Sequence, residues 1–401
     1  MMRWRLLLLV PLSVSGCAGA SGAERARAAS PAIEALARGD MRRADREAQT
    51  ALERDAKNPR AALARAIARY ERTMKQLNKD MRTLLVGGVA AGGLNQRYLT
   101  AALEQAEKDL GAVDADLEIA ASDAGFSLDI CIACWEKDWN GNGRVDDRDR
   151  LLFQIEQDAD GKPIPEGDPR RKPTIRFDHG DLYWARAFVA FQRAALDLVL
   201  AYDYGELDRL FAERNDRPAN VVIRLVKPER VHEAKRQILA GLSHSNTSRK
   251  SYLAETDDER EWLPNPRQKS HPLPLPVDAS LYDTWQSVVS DLERLVRGQE
   301  GLSVAELANL GDHRSKRALS GYIDVGSFFS SPSDITLDVE KLERFERSGD
   351  VEGTLRSLLG RHYVQKMKAS PLPKRLERMQ GEVERGHESL ERKLRYLLWV
   401  N

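Results

Sequence analysis

Apolar residues recur at steps of three and four along most of the chain, the spacing of helices that bury one face. The stripe from Tyr70 to Leu84 continues a helix that begins near Pro59. A second stripe, from Leu99 to Ala120, predicts about six further turns against a neighbouring helix. Between the two stripes, the glycine-rich segment LLVGGVAAGGL at 84–94 predicts a break.

The segment FDHGDLYWARAFVAFQRAALDLVLAYDYGELDRLFAERN, 177–215, predicts the central helix. Apolar residues lie nearly all round it between Leu182 and Leu200, as in a helix surrounded by core. Asp181 is expected to act as an N-cap or as a first-turn acid favoured by the helix dipole. A further helix is predicted from Pro228, followed by the polar stretch SHSNTSRKS at 243–251.

Helices also dominate the C-terminal third, at 280–298, at 303–310 and after Pro373. The segment 337–360 repeats a helix, Gly-Asp turn, helix pattern, and 321–337 predicts a short strand or an ordered loop.

Two stretches interrupt the helical pattern. In the first, SLDICIACW at 127–135 predicts a short strand or extended segment, and four prolines in GKPIPEGDPRRKP at 161–173 predict a loop. In the second, five prolines between Pro264 and Pro276 favour an extended linker or a strap lying across the surface.

The pattern therefore predicts a mainly α protein, a helical hairpin array with one loop-rich insertion. The predicted parts are a leader at 1–16, a flexible tether at 17–29, a helical region at 30–125, the insertion at 126–178, a central helical region at 179–260, a proline-rich linker at 261–277 and a C-terminal helical region at 278–401.

Composition narrows the range of partners. The 62 basic and 62 acidic residues balance to a net charge of zero, which argues against nucleic acid, since that partner needs a clustered basic surface. After the leader, no apolar run approaches the roughly 18 residues of a membrane-spanning helix. A lipid anchor is therefore the expected membrane attachment.

The leader has the layout of a secretory signal, with Arg3 and Arg5 before an apolar run and small residues leading to Cys17. Val14-Ser15-Gly16-Cys17 resembles the lipobox of bacterial lipoproteins. The resemblance implies cleavage before Cys17 and acylation of that cysteine, and Ala18 after it favours the outer membrane. The alternative is an ordinary secretory leader in which Cys17 has no role.

The segment 30–73 resembles a tetratricopeptide repeat over about one and a half repeats. Gly39-Asp40 matches the turn inside the repeat. The other matching positions, in the second helix and the closing turn, are Ala44, Ala51, Leu52 and Asn58. A generic alanine-rich helical hairpin is the alternative interpretation.

DWNGNGRVDDRD, Asp138 to Asp149, places oxygen-bearing side chains at its first, third, fifth, ninth and twelfth positions. Gly143, at the sixth, permits the sharp turn that wraps a chain around one ion. The loop resembles that of EF-hands, and more closely its dockerin-type version. The ligands that this resemblance implies are the side chains of Asp138, Asn140, Asn142, Asp146 and Asp149 and the carbonyl of Arg144.

The cofactor expected at this loop is Ca²⁺, bound weakly at about 0.1 to 1 mM, as in extracellular modules. The alternative is a polar Asn-Gly turn that caps the next helix. The segment EQDADGKPIPEG at 156–167 offers no second complete loop, because it lacks a closing carboxylate at the right distance.

Cys131 and Cys134 stand three residues apart, and in an exported protein such a pair is expected to form a local disulfide. A redox-active pair is the alternative, although the βαβ setting of a thioredoxin-like motif is not apparent. Haem attachment would need His after the second cysteine, where Trp135 stands, and zinc would need two further ligands.

Seven histidines are scattered, and no HExxH, GxSxG, P-loop or GxGxxG motif occurs. Asp178, His179 and Asp181 could support acid–base chemistry if another carboxylate converged on them, but a cluster at a helix start is more often structural. No catalytic residue is therefore assigned.

Together these features predict an outer-membrane lipoprotein, facing the periplasm or the cell surface, whose helical repeats form a binding or scaffolding surface for a protein partner and are stabilised by one calcium ion. The alternative is a cell-envelope hydrolase that acts on peptidoglycan or peptide and has a structural calcium site.

Overall fold

The structure is a computed structural model, and the protein is mainly helical, as predicted. The residues that it describes are 22–91, 96–135, 137–138, 144–147, 149, 154–158, 162–207, 218–256, 260–261, 263–268, 279–310, 319–339, 341 and 351–385.

Four helices build the N-terminal region: α1 (Gly22–Ala37), α2 (Met41–Arg54), α3 (Pro59–Ala91) and α4 (Gln96–Ala121). Gly39 turns the chain between α1 and α2 with a φ of +72°, a conformation that suits glycine. Asp40 then caps α2 by accepting a hydrogen bond from the Arg43 N–H at 3.0 Å. Because Ala35, Ala44 and other alanines fill the contact, the helices pack closely, as the sequence predicts.

Two segments of this region differ from expectation. The helix α1 begins at Gly22, so residues 22–29 of the predicted flexible tether are helical, and Ala29 is fully buried in the core. Alanine, glutamate and arginine favour helix there. The helix α3 continues through Gly87 and Gly88 to Ala91 instead of breaking at the start of the glycine-rich segment.

The insertion contains a two-stranded antiparallel sheet, formed by β1 (Ser127–Ile130) and β2 (Ile175–Asp178). The register pairs Ser127 with Asp178 and Ile130 with Ile175. The strand prediction for 127–135 is therefore confirmed over β1, and a single 3₁₀ turn, Ile132–Cys134, follows it.

The long helices α5 (His179–Leu200) and α6 (Pro228–Ala254) pack along each other, and α5 also packs on α4. The prediction that α5 continues beyond Leu200 is wrong for residues 202–206, and residues 208–215 lie outside the described residues. After Leu200 the chain forms the strand β3 (Tyr202–Asp203), which pairs with β4 (Asn220–Leu225). A turn follows β3, in which Asp203 Oδ1 accepts a hydrogen bond from the Gly205 N–H at 2.8 Å.

The polar stretch 243–251 does not end its helix, because α6 runs through it to Ala254. Several of its polar side chains lie inside the protein: Ser248 is fully buried, and Ser245 accepts a hydrogen bond from the Trp285 indole N–H at 2.8 Å. Small hydroxyl side chains let α6 approach its neighbours, so polarity here does not indicate exposure.

The described residues of the C-terminal region form mostly short elements. They are α7 (Ala279–Val296), β5 (Leu302–Ser303), α8 (Val304–Leu310), β6 (Tyr322–Ile323), α9 (Val325–Ser330), β7 (Ile335–Asp338), α10 (Val351–Leu359), β8 (Tyr363–Val364) and α11 (Leu372–Arg385). The strands pair antiparallel in the orders β3-β4-β7 and β5-β6-β8.

Part of the proline-rich segment packs as a strap. Leu263 and Asn265 are buried, and the Asn265 amide donates hydrogen bonds to the carbonyls of Tyr252 and Glu255 at the C-terminal end of α6. Tyr282 of α7 in turn donates to the Pro264 carbonyl at 2.9 Å. The described part of the predicted linker at 261–277 therefore belongs to the folded body.

Candidate functional site

Carboxyl groups converge where β2 ends and α5 begins. Asp178 caps α5: its Oδ1 accepts from the Gly180 N–H at 2.7 Å and from the Asp181 N–H at 3.4 Å. In the opposite direction, Asp181 Oδ2 accepts a hydrogen bond from the Asp178 N–H at 2.9 Å. This reciprocal pattern is a capping box, with Asp178 as the N-cap and Asp181 in the first turn. Of the two roles predicted for Asp181, the first-turn position is confirmed.

The side chain of Asp181 is buried against α6. Its Oδ1 accepts a hydrogen bond from the Tyr252 hydroxyl at 2.6 Å, and Tyr252 has no exposed surface. Gly180 makes this contact sterically feasible, because a Cβ there would lie 2.8 Å from the Tyr252 ring. Burial, followed by the nearby charge of Asp178, raises the pKa of Asp181 to about 8. Asp181 is therefore neutral at pH 7, rather than the dipole-stabilised anion that the sequence predicts.

Two glutamates approach Asp178 from distant parts of the chain. Glu255 directly follows α6. Glu261 is held beside β2, where the Arg176 N–H donates to the Arg260 carbonyl at 3.0 Å, and only 1 % of Glu261 is exposed. One carboxylate oxygen from each of Asp178, Glu255 and Glu261 lies within 4.8 Å of the other two. Burial, and then Asp178, raises the pKa of Glu255 to about 10.

These three carboxyl groups line a cleft of about 400 Å³, which we call the carboxylate cleft. Its other walls come from residues 124–126, which precede β1, and from further residues of the strands and helices around it: Ser127, Arg176, His179, Gly180, Ser251 and Ala254. The ring of His179 packs edge-on against Tyr183 at 4.9 Å. The fold thus brings two further carboxyl groups to the predicted pair Asp178 and His179.

The chemistry available in the cleft depends on protonation. Glu255 is a neutral carboxylic acid at pH 7, able to donate a proton, while the three carboxyl groups together offer the oxygen ligands that hard divalent cations prefer. Binding of such a cation would require the protons to leave.

Sequence reasoning missed Glu255, Glu261 and Tyr252. The acidic run Glu255–Glu261, ETDDERE, gave a compositional signal, but nothing local indicates that it folds back onto residue 178, more than 70 positions earlier.

The predicted calcium loop is described only in part: Asn140, Asn142 and Gly143 lie outside the described residues. At its C-terminal side, Asp149 is buried, and its Oδ2 accepts from the Asp146 N–H at 3.0 Å. Asp146 Oδ1 accepts from the Asp149 N–H at 3.4 Å. These reciprocal bonds form a capping box at the start of helical conformation at Asp147.

The N-terminal side of the loop is fixed to the helical body. Lys137 is buried and forms an ion pair with Glu71 of α3, and its ammonium lies 4.9 Å from the centre of the Trp135 ring. Both side chains lie beside the α1–α2 turn, since a Cβ added at Gly39 would lie 3.3 Å from Lys137 and 3.4 Å from Trp135. Asp138, the first predicted ligand, follows directly and is half-buried, while Arg144 is exposed.

Cys131 and Cys134 are joined by a disulfide in the turn after β1. Within the segment 156–167, which offers no second complete calcium loop, residues 156–158 pair with residues 162–164, and the Ile164 N–H donates to the Glu156 carbonyl at 2.8 Å. Cys17 lies outside the described residues. None of the helices described combines the length and the apolarity needed to cross a bilayer.

The sequence matches no family model and no curated protein, and the search of solved structures also finds no match.

Proposed function

We propose that this protein is an outer-membrane lipoprotein, anchored through acylated Cys17, whose helical body is stabilised by one calcium ion in the loop 138–149 and binds a protein partner. The arrangement at the two ends of the loop carries the proposal. The Lys137–Glu71 pair holds the N-terminal end on α3, and buried Asp149 caps the helical conformation at the other end. A loop with fixed ends loses less conformational entropy when it closes around an ion.

The helical body supports the proposed binding of a protein partner. Helices α1 to α3 stack as consecutive hairpins joined by short turns, and stacked hairpins present an extended surface of the kind that helical repeat proteins use for protein partners. The lipobox-like segment supports the anchor, and Ala18 supports the outer membrane as its location.

A thermal melt of the mature protein with calcium and with chelator tests the cation site. If the dissociation constant is 0.1 to 1 mM, then 10 mM Ca²⁺ should stabilise the fold by about 1.4 to 2.7 kcal/mol and raise the midpoint. Asp149→Asn keeps an oxygen for the capping bond but removes the ligand charge, so it should abolish most of the shift. Asp147→Asn, the same change at an exposed position two residues earlier, should leave the shift intact.

An unchanged midpoint at 10 mM Ca²⁺ would remove the calcium site from the proposal. The anchor is tested separately, by mass spectrometry of the mature N-terminus. An acylated Cys17 is expected there, and a protein that begins at any other residue contradicts it.

The carboxylate cleft favours a second candidate, a cell-envelope hydrolase. Acid–base chemistry at Asp178 and His179 requires a further carboxyl group, and Glu255 and Glu261 supply two. In this candidate a neutral carboxyl protonates the leaving group while an ionised one activates water. Incubation of the purified protein with peptidoglycan, followed by analysis of released fragments, tests it: Glu261→Gln should abolish release and the exposed Asp283→Asn should not. No release by the wild type excludes this activity.

A further inference from the structure

A second cavity, of about 330 Å³, opens where α1, α3 and α4 meet. Cationic side chains from three segments line it: Arg25 in α1, Lys57 in the turn before α3 and Arg60 in the first turn of α3. Ser122 and Asp123, which directly follow α4, also line it. No residue predicted from the sequence to bind a ligand lies in this cavity.

The buried side chain of Asn58 makes this cavity a fixed structure. Its Nδ2 donates to the Arg25 carbonyl at 2.7 Å, and its Oδ1 accepts from the Ala61 N–H at 3.1 Å. Asn58 has no exposed surface. The backbone segments that carry Arg25 and Arg60 are therefore held together by one side chain, so the walls of the cavity are joined before any ligand arrives.

The charges at the cavity are not balanced. Arg25 pairs with Asp55 at 2.8 Å. Across the described residues, however, neither Lys57 nor Arg60 forms an ion pair, and Arg60 lies 5.9 Å from the centre of the Phe126 ring. Asp123 is the single carboxylate among the lining residues, and its Oδ1 accepts from the Gly125 N–H. The cavity thus carries an excess of positive charge in a chain whose net charge is zero.

We propose that this cavity binds a phosphate group. Guanidinium groups present paired N–H donors that match phosphate oxygens, and a lysine ammonium adds a point charge. Donors from three segments around one space suit a tetrahedral oxyanion better than a planar one. The volume is at the lower end of small-molecule sites, with room for the phosphate and part of the molecule that carries it.

Two sources supply such a group: a lipid headgroup and a soluble phosphate compound. The lipid source rests on the proposed function, in which Cys17 is acylated. Arg25 follows Cys17 by eight residues. The five steps from Cys17 to Gly22 span at most about 18 Å when extended, and the three helical steps from Gly22 to Arg25 add about 4.5 Å. The headgroup layer would therefore lie within reach of the cavity.

Calorimetric titration of inorganic phosphate into the purified mature protein in non-ionic detergent tests the site. Lys57→Gln and Arg60→Gln should each weaken binding by about tenfold or more, since each removes a charged donor. Arg54→Gln is the matched control: it removes the same charge from an exposed position on α2 outside the cavity, and should change affinity less than about twofold. Lys57 is exposed, so its replacement leaves the fold intact.

Titrations with glycerol 3-phosphate and with dihexanoyl phosphatidic acid separate the sources. Tighter binding of the lipid, lost in Lys57→Gln, assigns the site to a headgroup, and equal or tighter binding of glycerol 3-phosphate assigns it to a soluble ligand. The proposal is overturned if 10 mM phosphate produces no binding, or if Arg54→Gln weakens binding as much as Lys57→Gln does. A mature protein without acylation ends the anchor proposal, whereas the phosphate titration still decides the site.

Discussion

Among single residues, Asp181 has the position that the sequence predicts but not the predicted negative charge. Its place in the first turn of α5 follows from the sequence, because acids are common there. Its neutrality at pH 7 does not, because the cause is burial against Tyr252, 71 residues away. Position is set by neighbours along the chain, whereas a pKa is set by neighbours in space.

Gly180 and Gly241 provide a matched test of this packing. A Cβ at Gly180 would lie 2.8 Å from Tyr252, a buried ring whose hydroxyl is fixed to Asp181. A Cβ at Gly241 would lie 2.7 Å from Phe191, a ring that is 36 % exposed and able to turn outward. Gly180→Ala should therefore lower the free energy of unfolding by about 1–3 kcal/mol. Gly241→Ala should be neutral or stabilise by up to about 1 kcal/mol, because alanine favours helix.

Urea denaturation of the two variants and the wild type measures both values. Equal destabilisation by the two substitutions would contradict the role assigned to the Tyr252–Asp181 contact.

At the scale of elements, periodicity located the long helices, because each buries a continuous face. It failed where polar side chains are buried, as in α6, where Ser245 and Ser248 lie inside the protein. It also failed for β4, whose partner β7 lies more than 100 residues away. A local pattern carries no information on such a partner.

The turn from Cys131 to Cys134 is the element that leads from β1 to the predicted calcium loop. Its disulfide restricts the backbone a few residues before Asp138, which lowers the entropy lost when the loop closes on an ion. Serine at both cysteines should therefore weaken calcium affinity several-fold and leave helix content unchanged. Titration of both proteins, with circular dichroism as the control, measures this. An unchanged affinity would contradict this role of the disulfide.

In the molecule as a whole, only part of the carboxylate cleft could be predicted from the sequence. Asp178 and His179 stand together at a visible helix start, but Glu255 and Glu261 reach them only because α6 runs back along α5 and residues 260–261 extend the β1–β2 sheet. The sequence indicates that acid–base chemistry at Asp178 and His179 needs a further carboxyl group. Whether this need is met depends on the fold, since it requires carboxyl groups from separate segments.

The cleft also makes the stability of the whole fold depend on pH, because it joins β2, α5, α6 and the strap. Asp181 and Glu255 have folded-state pKa values near 8 and near 10, above the values of about 4 that both have when unfolded. Between those limits the folded state binds more protons than the unfolded state. By linkage, the contribution of Asp181 to stability is lost as pH rises from about 4 through 8, and that of Glu255 is lost from about 4 through 10.

We therefore expect the melting midpoint to decrease between pH 5 and pH 9. Asp181→Asn should flatten this decrease, since an amide cannot ionise, although it should lower the midpoint at pH 5 by disturbing the bond from the Asp178 N–H. The control Asp283→Asn, on the exposed face of α7, should leave the slope as in the wild type. Parallel slopes for Asp181→Asn and the wild type would mean that this carboxyl is ionised in the folded protein. Asp181 would then carry a buried negative charge beside Asp178, and the Tyr252 hydroxyl would be its principal stabilising contact.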